Sequence, residues 1–428
     1  MRIRRASGKD RVIMSQNAVE TLPIRLTKFF LSAAGFTIAT TRREKILVDV
    51  IVTYSTIALA FACFVTGVDI YNCWGSFYEF VYSFIGFGTC CIVQSKFAVF
   101  MVKRKKYLNL MRYTSDILWT RHHTEYGKGV IKDCERQAMY FIVLFTFLAQ
   151  GVSLCYTVQP ILLNIGRNET DRLFPFTFWV DLPIYVSPWF EIAFVVQVLS
   201  CYHTSICYFC FDNYLALTNI FITGQFKILK NRLEVLFDAD HVNLQEPEGN
   251  RRTSWYLTKS RRMNRLVHEY KLCIKQHQLL IDLVDQVEDL YSFINLLQVL
   301  VFSFLICLVG YQLILPGNSQ MRRILFIVYF GGCFTQLFTF AFTCNNLTLA
   351  SLDVGEGPWH SKWTTETRWR EGRAIVQDLQ MIIMRARRPC RLTAYGFFPV
   401  TLNTFKSMLS TAFSYLTLMR NSEEDIQG

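Results

Sequence analysis

Uncharged, apolar stretches divide the chain. They lie between Asp49 and Asp69, Glu79 and Lys96, Arg136 and Arg167, Glu191 and Asp212, Asp289 and Arg322, and Arg323 and Asp353, with 19, 16, 30, 20, 32 and 29 residues. Crossing a bilayer takes roughly 20 residues at 1.5 Å per residue, so each is the length of a transmembrane helix. The second is short, and Trp74, Phe77 and Tyr78 are expected to lengthen it while Lys96 snorkels toward the headgroups. A seventh run, Leu392 to Met419, is broken only by Lys406. Phe29 to Thr41 is too short to cross and predicts an interfacial or re-entrant helix. Met1 to Arg11 is basic and polar and does not read as a cleavable signal.

The seventh run carries a different pattern. Asn403, Ser407, Ser410, Ser414, Thr417 and Asn421 recur at steps of four and three, which on a helix makes one polar stripe. Small hydroxyl and amide groups in lipid suit either the wall of an aqueous pore or a tight helix seam. Lys406, at the edge of the stripe, has to face protein or water. Leu416, Leu418 and Met419 bracket its last hydroxyl, and such a collar can close a narrow pore by dewetting. A single polar-faced helix encloses nothing, so a pore built on it needs several subunits around an axis.

Composition agrees with a polytopic membrane protein: 52% of the 428 residues are hydrophobic, 37 of them Phe. The basic residues set the expected orientation. The amino-terminal segment and the loops 101–138, 218–289 and 353–393 hold 38 Lys and Arg, against 4 in the alternate loops. Positive residues stay cytoplasmic, so the amino terminus is expected inside and, after seven spans, the carboxyl terminus outside. The net charge of +12 is thus a topology signal and gives no reason to invoke nucleic acid. The fold class is an all-α membrane protein with seven transmembrane helices and a cytoplasmic helical anchor. G-protein-coupled receptors have the opposite orientation, and a secondary transporter would need internal repeats that the chain does not display.

The expected organisation is a cytoplasmic segment 1–44, a six-helix bundle 45–352 interrupted by a flexible loop 238–262, an anchor helix within 353–394, the polar-faced helix 395–421 and an external tail 422–428. Within the anchor, Trp369, Ile375, Leu379, Ile382 and Ile383 keep a helical period from Thr364 to Arg388. The long cytoplasmic ends of the fourth and fifth spans are also helical in rhythm. Asn168-Glu169-Thr170 is a glycosylation sequon on the expected external side, whereas Asn346-Leu347-Thr348 falls inside the sixth run and is expected to be silent. Cys207 and Cys210 have no ligand-spaced His or carboxylate, so the 14 cysteines read as buried small hydrophobes, with no metal and no cofactor expected. His203, within the fourth run, reads as a packing residue that could also meet a ligand. No catalytic motif is present, and an enzyme is not expected.

One stretch closely resembles a known family. Arg388 through Phe405, reading RPCRLTAYGFFPVTLNTF, followed by Ser414-Tyr415-Leu416-Thr417-Leu418-Met419-Arg420, resembles the carboxyl-terminal signature of insect odorant receptors. Further matches are Ser187-Pro188-Trp189-Phe190-Glu191 with Gln197, His277 with Leu290 to Gln298, Gln336 with Cys344, and Ser351 to Trp363. The resemblance implies a variable, odorant-binding subunit that joins the odorant receptor co-receptor in a tetrameric, ligand-gated, non-selective cation channel of the plasma membrane of sensory dendrites. It implies a pore along the outer part of the last helix, lined by the stripe from Asn403 to Asn421, with a gate near Leu418 and Ser422. Two positions depart from the pattern: Trp359 replaces a usual tyrosine, and Asn403 stands where an acidic residue is common. Gustatory receptors of the same superfamily are the nearest alternative, opposed by the Gly-Phe-Phe-Pro sequence. The resemblance also places a volatile-binding pocket in the outer half of the spans, where depth nominates Tyr78, Tyr82, Gln150, Leu154, Tyr156, Phe190, Phe194, Phe330 and Thr335.

Overall fold

The structure is a computed structural model that describes residues 21–427 apart from 76, 119–123, 169–170, 178–184, 238–250, 315–319 and 364–369. The described residues form helices α1 (Leu22–Ala33), α2 (Arg42–Asn72), α3 (Phe77–Val102), α4 (Arg104–Leu118), α5 (Glu125–Leu163), α6 (Trp189–Glu234), α7 (Arg251–Ile314), α8 (Gln320–Asp353), α9 (Glu356–His360), α10 (Arg370–Ala386) and α11 (Leu402–Gln427). Among them α2, α3, α5, α6, α7 and α8 are long and apolar enough to cross a membrane. Helix α11 spans 26 residues, and its hydroxyl stripe and acidic end, Glu423 to Asp425, make it the polar seventh member.

Helix α6 is the axle of the bundle, packing against α1, α2, α3, α5, α7, α8 and α9. Every residue from Phe209 to Phe226 is buried, so polar members of that stretch meet protein on all sides. This all-round burial removes the periodicity that marks a helix with one core-facing side. The 64 residues of α7 and 46 of α6 match the long extensions expected beyond the fourth and fifth runs. Residues 251–262, expected within a flexible loop, instead form the first turns of α7. The remainder of that loop, 238–250, lies outside the described residues.

The amino-terminal helix sits earlier than expected. It occupies Leu22–Ala33, opened by Pro23 in its first turn, and stops before Gly35. That glycine has φ +84°, and a Cβ there would come 2.5 Å from a Val52 methyl, so a side chain cannot be accommodated without movement. The apolar residues after it are apolar because the turn is buried: Phe36 meets Phe97, Phe100, Tyr107 and Phe211 edge-on. Helix α2 then starts on a capping box, with Glu44 N donating to Thr41 Oγ1 and the Glu44 carboxylate accepting from Thr41 N.

Residues 395–401 also depart from the expected helix. They fold as part of a tight hairpin closed by a bridge between Thr393 and Pro399, with Ala394 N donating to Phe398 O at 3.0 Å. Tyr395 and Gly396 have φ of +53° and +77°, the positive pair of a type I′ turn, which favours glycine at the second position. The hairpin is hooked onto α7: Tyr395 N donates to Ser292 O, Asn295 Nδ2 to Thr393 O, and Thr393 N and Oγ1 to the Glu288 carboxylate. Cys390 N donates to Ser351 Oγ at the end of α8. The anchor segment is thus three pieces, α9, α10 and this hairpin. In α10 Ile375, Leu379 and Ile382 face inward, as the helical period required, while 364–369 lie outside the described residues. The tail expected from Ser422 continues α11 to Gln427.

Candidate functional site

Helices α2, α3, α5, α6 and α8 diverge around a cavity of about 120 Å3. One face of each supplies its wall, for example Phe145, Ala149, Val152 and Tyr156 of α5 and Tyr329, Gly332, Cys333 and Gln336 of α8. These recur at three and four residues, the spacing of a single helical face. Most of the wall is carbon, and among the described residues no Asp, Glu, Lys or Arg belongs to it. Such a space suits a small neutral molecule held by burial. Covering about 250 Å2 of apolar ligand surface would contribute about 6 kcal/mol before immobilisation costs, a ceiling corresponding to tens of micromolar.

A loop closes one end. Gln197 of α6 accepts from Phe176 N at 3.0 Å and donates to Phe176 O at 2.9 Å; Asn164 makes the same pair of bonds to Leu173 at 2.7 and 2.8 Å. Two amide side chains thereby satisfy loop backbone groups that lack sheet or helix partners. The Phe176 ring stacks on Tyr156 at 5.1 Å. Beyond Tyr156, which lines both spaces, lies a larger vestibule of about 480 Å3 that, unlike the cavity, has charged residues on its border, namely Asp69, Glu79 and Arg322, beside Tyr82 and Ser83. There Arg322 bridges to Glu79 at 3.3 Å and lies over the Tyr82 ring.

Beneath the opposite end runs a buried ion pair. Lys96 Nζ is 2.6 Å from Asp212 Oδ2, and the two residues are 0% and 7% exposed. Gln336, a wall residue, donates Nε2 to the same carboxylate, and the ammonium stands 5.4 Å from the Tyr208 ring. Lys96 therefore does not snorkel. The carboxylate on α6 offers it a partner inside the bundle, where moving the charge to a headgroup would leave Asp212 without a counter-charge.

The nominated ligand residues divide by helix rotation. Tyr156 lines the cavity and Tyr82 the vestibule. Leu154 is 53% exposed on the outer surface of α5, and Gln150 lies outside the cavity wall beside Ala149. Phe190 and Phe194 continue the cavity face of α6 but sit nearer its start, where Phe190 packs on Phe174 at 4.7 Å. Phe330 and Thr335 are one position away from the wall residues Tyr329 and Gln336. The side chain of Tyr78 lies outside the described residues. The wall residues Thr204, Ser205 and Tyr208 were missed, although Gln197, Cys201, Thr204 and Tyr208 repeat at the helical interval. His203, one step off that face, turns to α2, meeting Ser55 at 2.9 Å and the Tyr54 ring. Cys207 and Cys210 are fully buried in the core.

Helix α11 packs on α7 and α8 alone among its principal contacts. Phe405, Met408, Leu409, Ala412 and Leu416 form the packed face. Asn403, Lys406, Ser407, Ser410, Ser414, Thr417 and Leu418 are exposed on the other; the side chains of Asn421 and Ser422 lie outside the described residues. Among the described residues, the stripe thus faces no helix of its own chain. Phe405 sits against Phe334 and Phe338, at 5.5 and 5.7 Å, in a ladder along α8 from Phe330 to Phe342. One face of α8 therefore walls the cavity while another grips the polar-faced helix.

The sequence family described as 7tm Odorant receptor matches residues 76–413. Odorant receptor Or2 of Anopheles gambiae is 22% identical over 82% of this chain and 87% of its own length. Odorant receptor 10 of Aedes albopictus is 23% identical over 86% and 90%. Among solved structures, the insect olfactory receptor OR5 from Machilis hrabei in complex with eugenol superposes with a TM-score of 0.76 at 15% identity, covering 96% of this chain and all of that one.

Proposed function

Given that the chain belongs to the odorant receptor family, we propose that it is the odorant-binding subunit of a ligand-gated, non-selective cation channel formed with the odorant receptor co-receptor. The amino terminus is cytoplasmic and the carboxyl terminus external, the orientation that the 38-to-4 distribution of basic residues favours. The cavity and vestibule then open outward, in the plasma membrane of sensory dendrites, and the exposed Asn168 is the glycosylation site. A small volatile occupies the apolar cavity, and the eugenol bound by the Machilis hrabei relative is a molecule of that size class. The polar face of α11 lines the ion path, with Leu418 at the gate and the end of the helix near Asn421 and Ser422 beyond it.

The observation that carries this reading is the double role of α8, which presents Tyr329, Cys333 and Gln336 to the cavity and Phe334 and Phe338 to α11. A ligand that spreads the cavity displaces the helix that holds the pore wall. Asn403 gives the inner end of the stripe no charge, so cation flux relies on carboxylates of the co-receptor subunits; Asn403→Asp should raise conductance, and unchanged conductance contradicts that dependence. The reading as a whole is tested by whole-cell current under a volatile panel. A fast cation current that requires both chains, and changes with Ser414 or Leu418 substitutions, supports it. A surface-expressed pair that conducts without dependence on this chain's α11 overturns it.

A further inference from the structure

Burial explains affinity for an apolar volatile but not which one is chosen, and the polar groups on the wall decide that. Most of them are committed to the protein. Thr66 Oγ1 donates to Ala62 O at 2.8 Å, Ser153 Oγ to Ala149 O at 3.4 Å and Ser200 Oγ to Ala58 O at 3.2 Å. Thr89 and Tyr329 bond each other, and the Gln197 amide holds Phe176.

Two neighbouring hydroxyls on the α6 wall are different. Thr204 Oγ1 and Ser205 Oγ are enclosed and, among the described residues, have no hydrogen-bond partner, although both line the cavity. Neither turns back onto a carbonyl of its own helix, as Thr66 and Ser153 do. Ser205 is 9% exposed, and bulk water does not compensate it. Leaving such a group unsatisfied is unfavourable, so a ligand atom that accepts from it is favoured by that missing bond.

Resting on the reading of this cavity as the odorant site, we propose that Thr204 and Ser205 are its specificity-determining pair and select volatiles carrying a carbonyl or ester oxygen over hydrocarbons of the same shape. The carbonyl oxygen accepts from one or both hydroxyls while its carbon skeleton fills the apolar wall. Ionised acids and amines are disfavoured because the described wall residues offer no counter-charge and burying an unpaired ion is costly.

The test uses matched pairs that exchange C=O for C=CH2: acetophenone against α-methylstyrene, and 2-heptanone against 2-methyl-1-heptene. Affinity for the full-length chain in lipid nanodiscs is read from the concentration dependence of the melting temperature. The ketone should bind roughly five- to tenfold more tightly, the worth of about one net hydrogen bond. Thr204→Val with Ser205→Ala should remove that preference by weakening the ketone and leaving the alkene unchanged. Thr204→Ser with Ser205→Thr, which keeps both hydroxyls, should retain it and controls for folding. Alkenes that bind as well as ketones, or a preference that survives the Val/Ala pair, overturn the proposal while leaving the cavity reading intact. Absence of binding by both classes overturns the cavity reading and the proposal with it.

Discussion

Tyr156 and Leu154 lie two positions apart on α5 and have opposite fates. Tyr156 is 8% exposed, stacked under Phe176 and shared by cavity and vestibule; Leu154 points outward. Tyr156→Ala should shift odorant potency about tenfold or more, as loss of a large aromatic contact implies, while Leu154→Ala should stay within about twofold. Dose-response curves measured at equal surface expression check the pair. The sequence nominated both residues by depth, which follows from span length. Rotation about the helix axis did not, since lipid and an apolar cavity both select apolar side chains. The polar residues were more informative than the aromatics: Gln197, Gln336 and Ser351, which belong to the matched motifs, each hold a defined partner, half-buried for Gln197 and buried for the other two. Lys96 could not be placed from sequence because its partner is 116 positions away. Lys96→Met should destabilise the fold by about 3–5 kcal/mol by stranding Asp212, and Asp212→Leu added to it should recover much of the loss. Thermal unfolding of the purified single and double variants measures this.

At the scale of elements, the apolar runs located α2, α3, α5, α6, α7 and α8, since uncharged length is a direct requirement of the bilayer. Ends were harder where local backbone chemistry overrides hydropathy. Gly35 stops α1 and the Tyr395-Gly396 turn delays α11 to Leu402, so both apolar stretches include turns buried or hooked against the bundle. The stripe on α11 was legible because its period is independent of tertiary structure, and the packed face from Phe405 to Leu416 now accounts for the alternation. The link between α8 and α11 was not legible, since the aromatic ladder looks like any apolar helix face. Phe405→Ala removes the ring from between Phe334 and Phe338. Ligand-induced stabilisation should remain within about threefold in concentration, as the cavity is untouched, whereas evoked current should fall at least about tenfold, an effect that needs only about 1.4 kcal/mol lost from coupling. Equal loss of binding and current would place Phe405 in the cavity's own support instead.

At the scale of the molecule, the chain leaves one feature incomplete. Asn403, Ser407, Ser410, Ser414 and Thr417 form an exposed polar face on a helix whose other face is packed, in a protein whose six other long helices are apolar. A single chain in lipid would leave those hydroxyls and Lys406 against hydrocarbon, which costs several kcal/mol for the ammonium alone. The assembly proposed above would convert the same face into the wall of a water-filled path. The most direct test is cysteine substitution along α11, with a membrane-impermeant thiol reagent applied during odorant-evoked current from cells that also express the co-receptor. Block at Ser407, Ser410, Ser414 and Thr417, with none at Leu409, Ala412 and Leu416, is the expected result. Modification that ignores this three-and-four spacing, or that favours the packed face, would contradict α11 as the wall of the ion path.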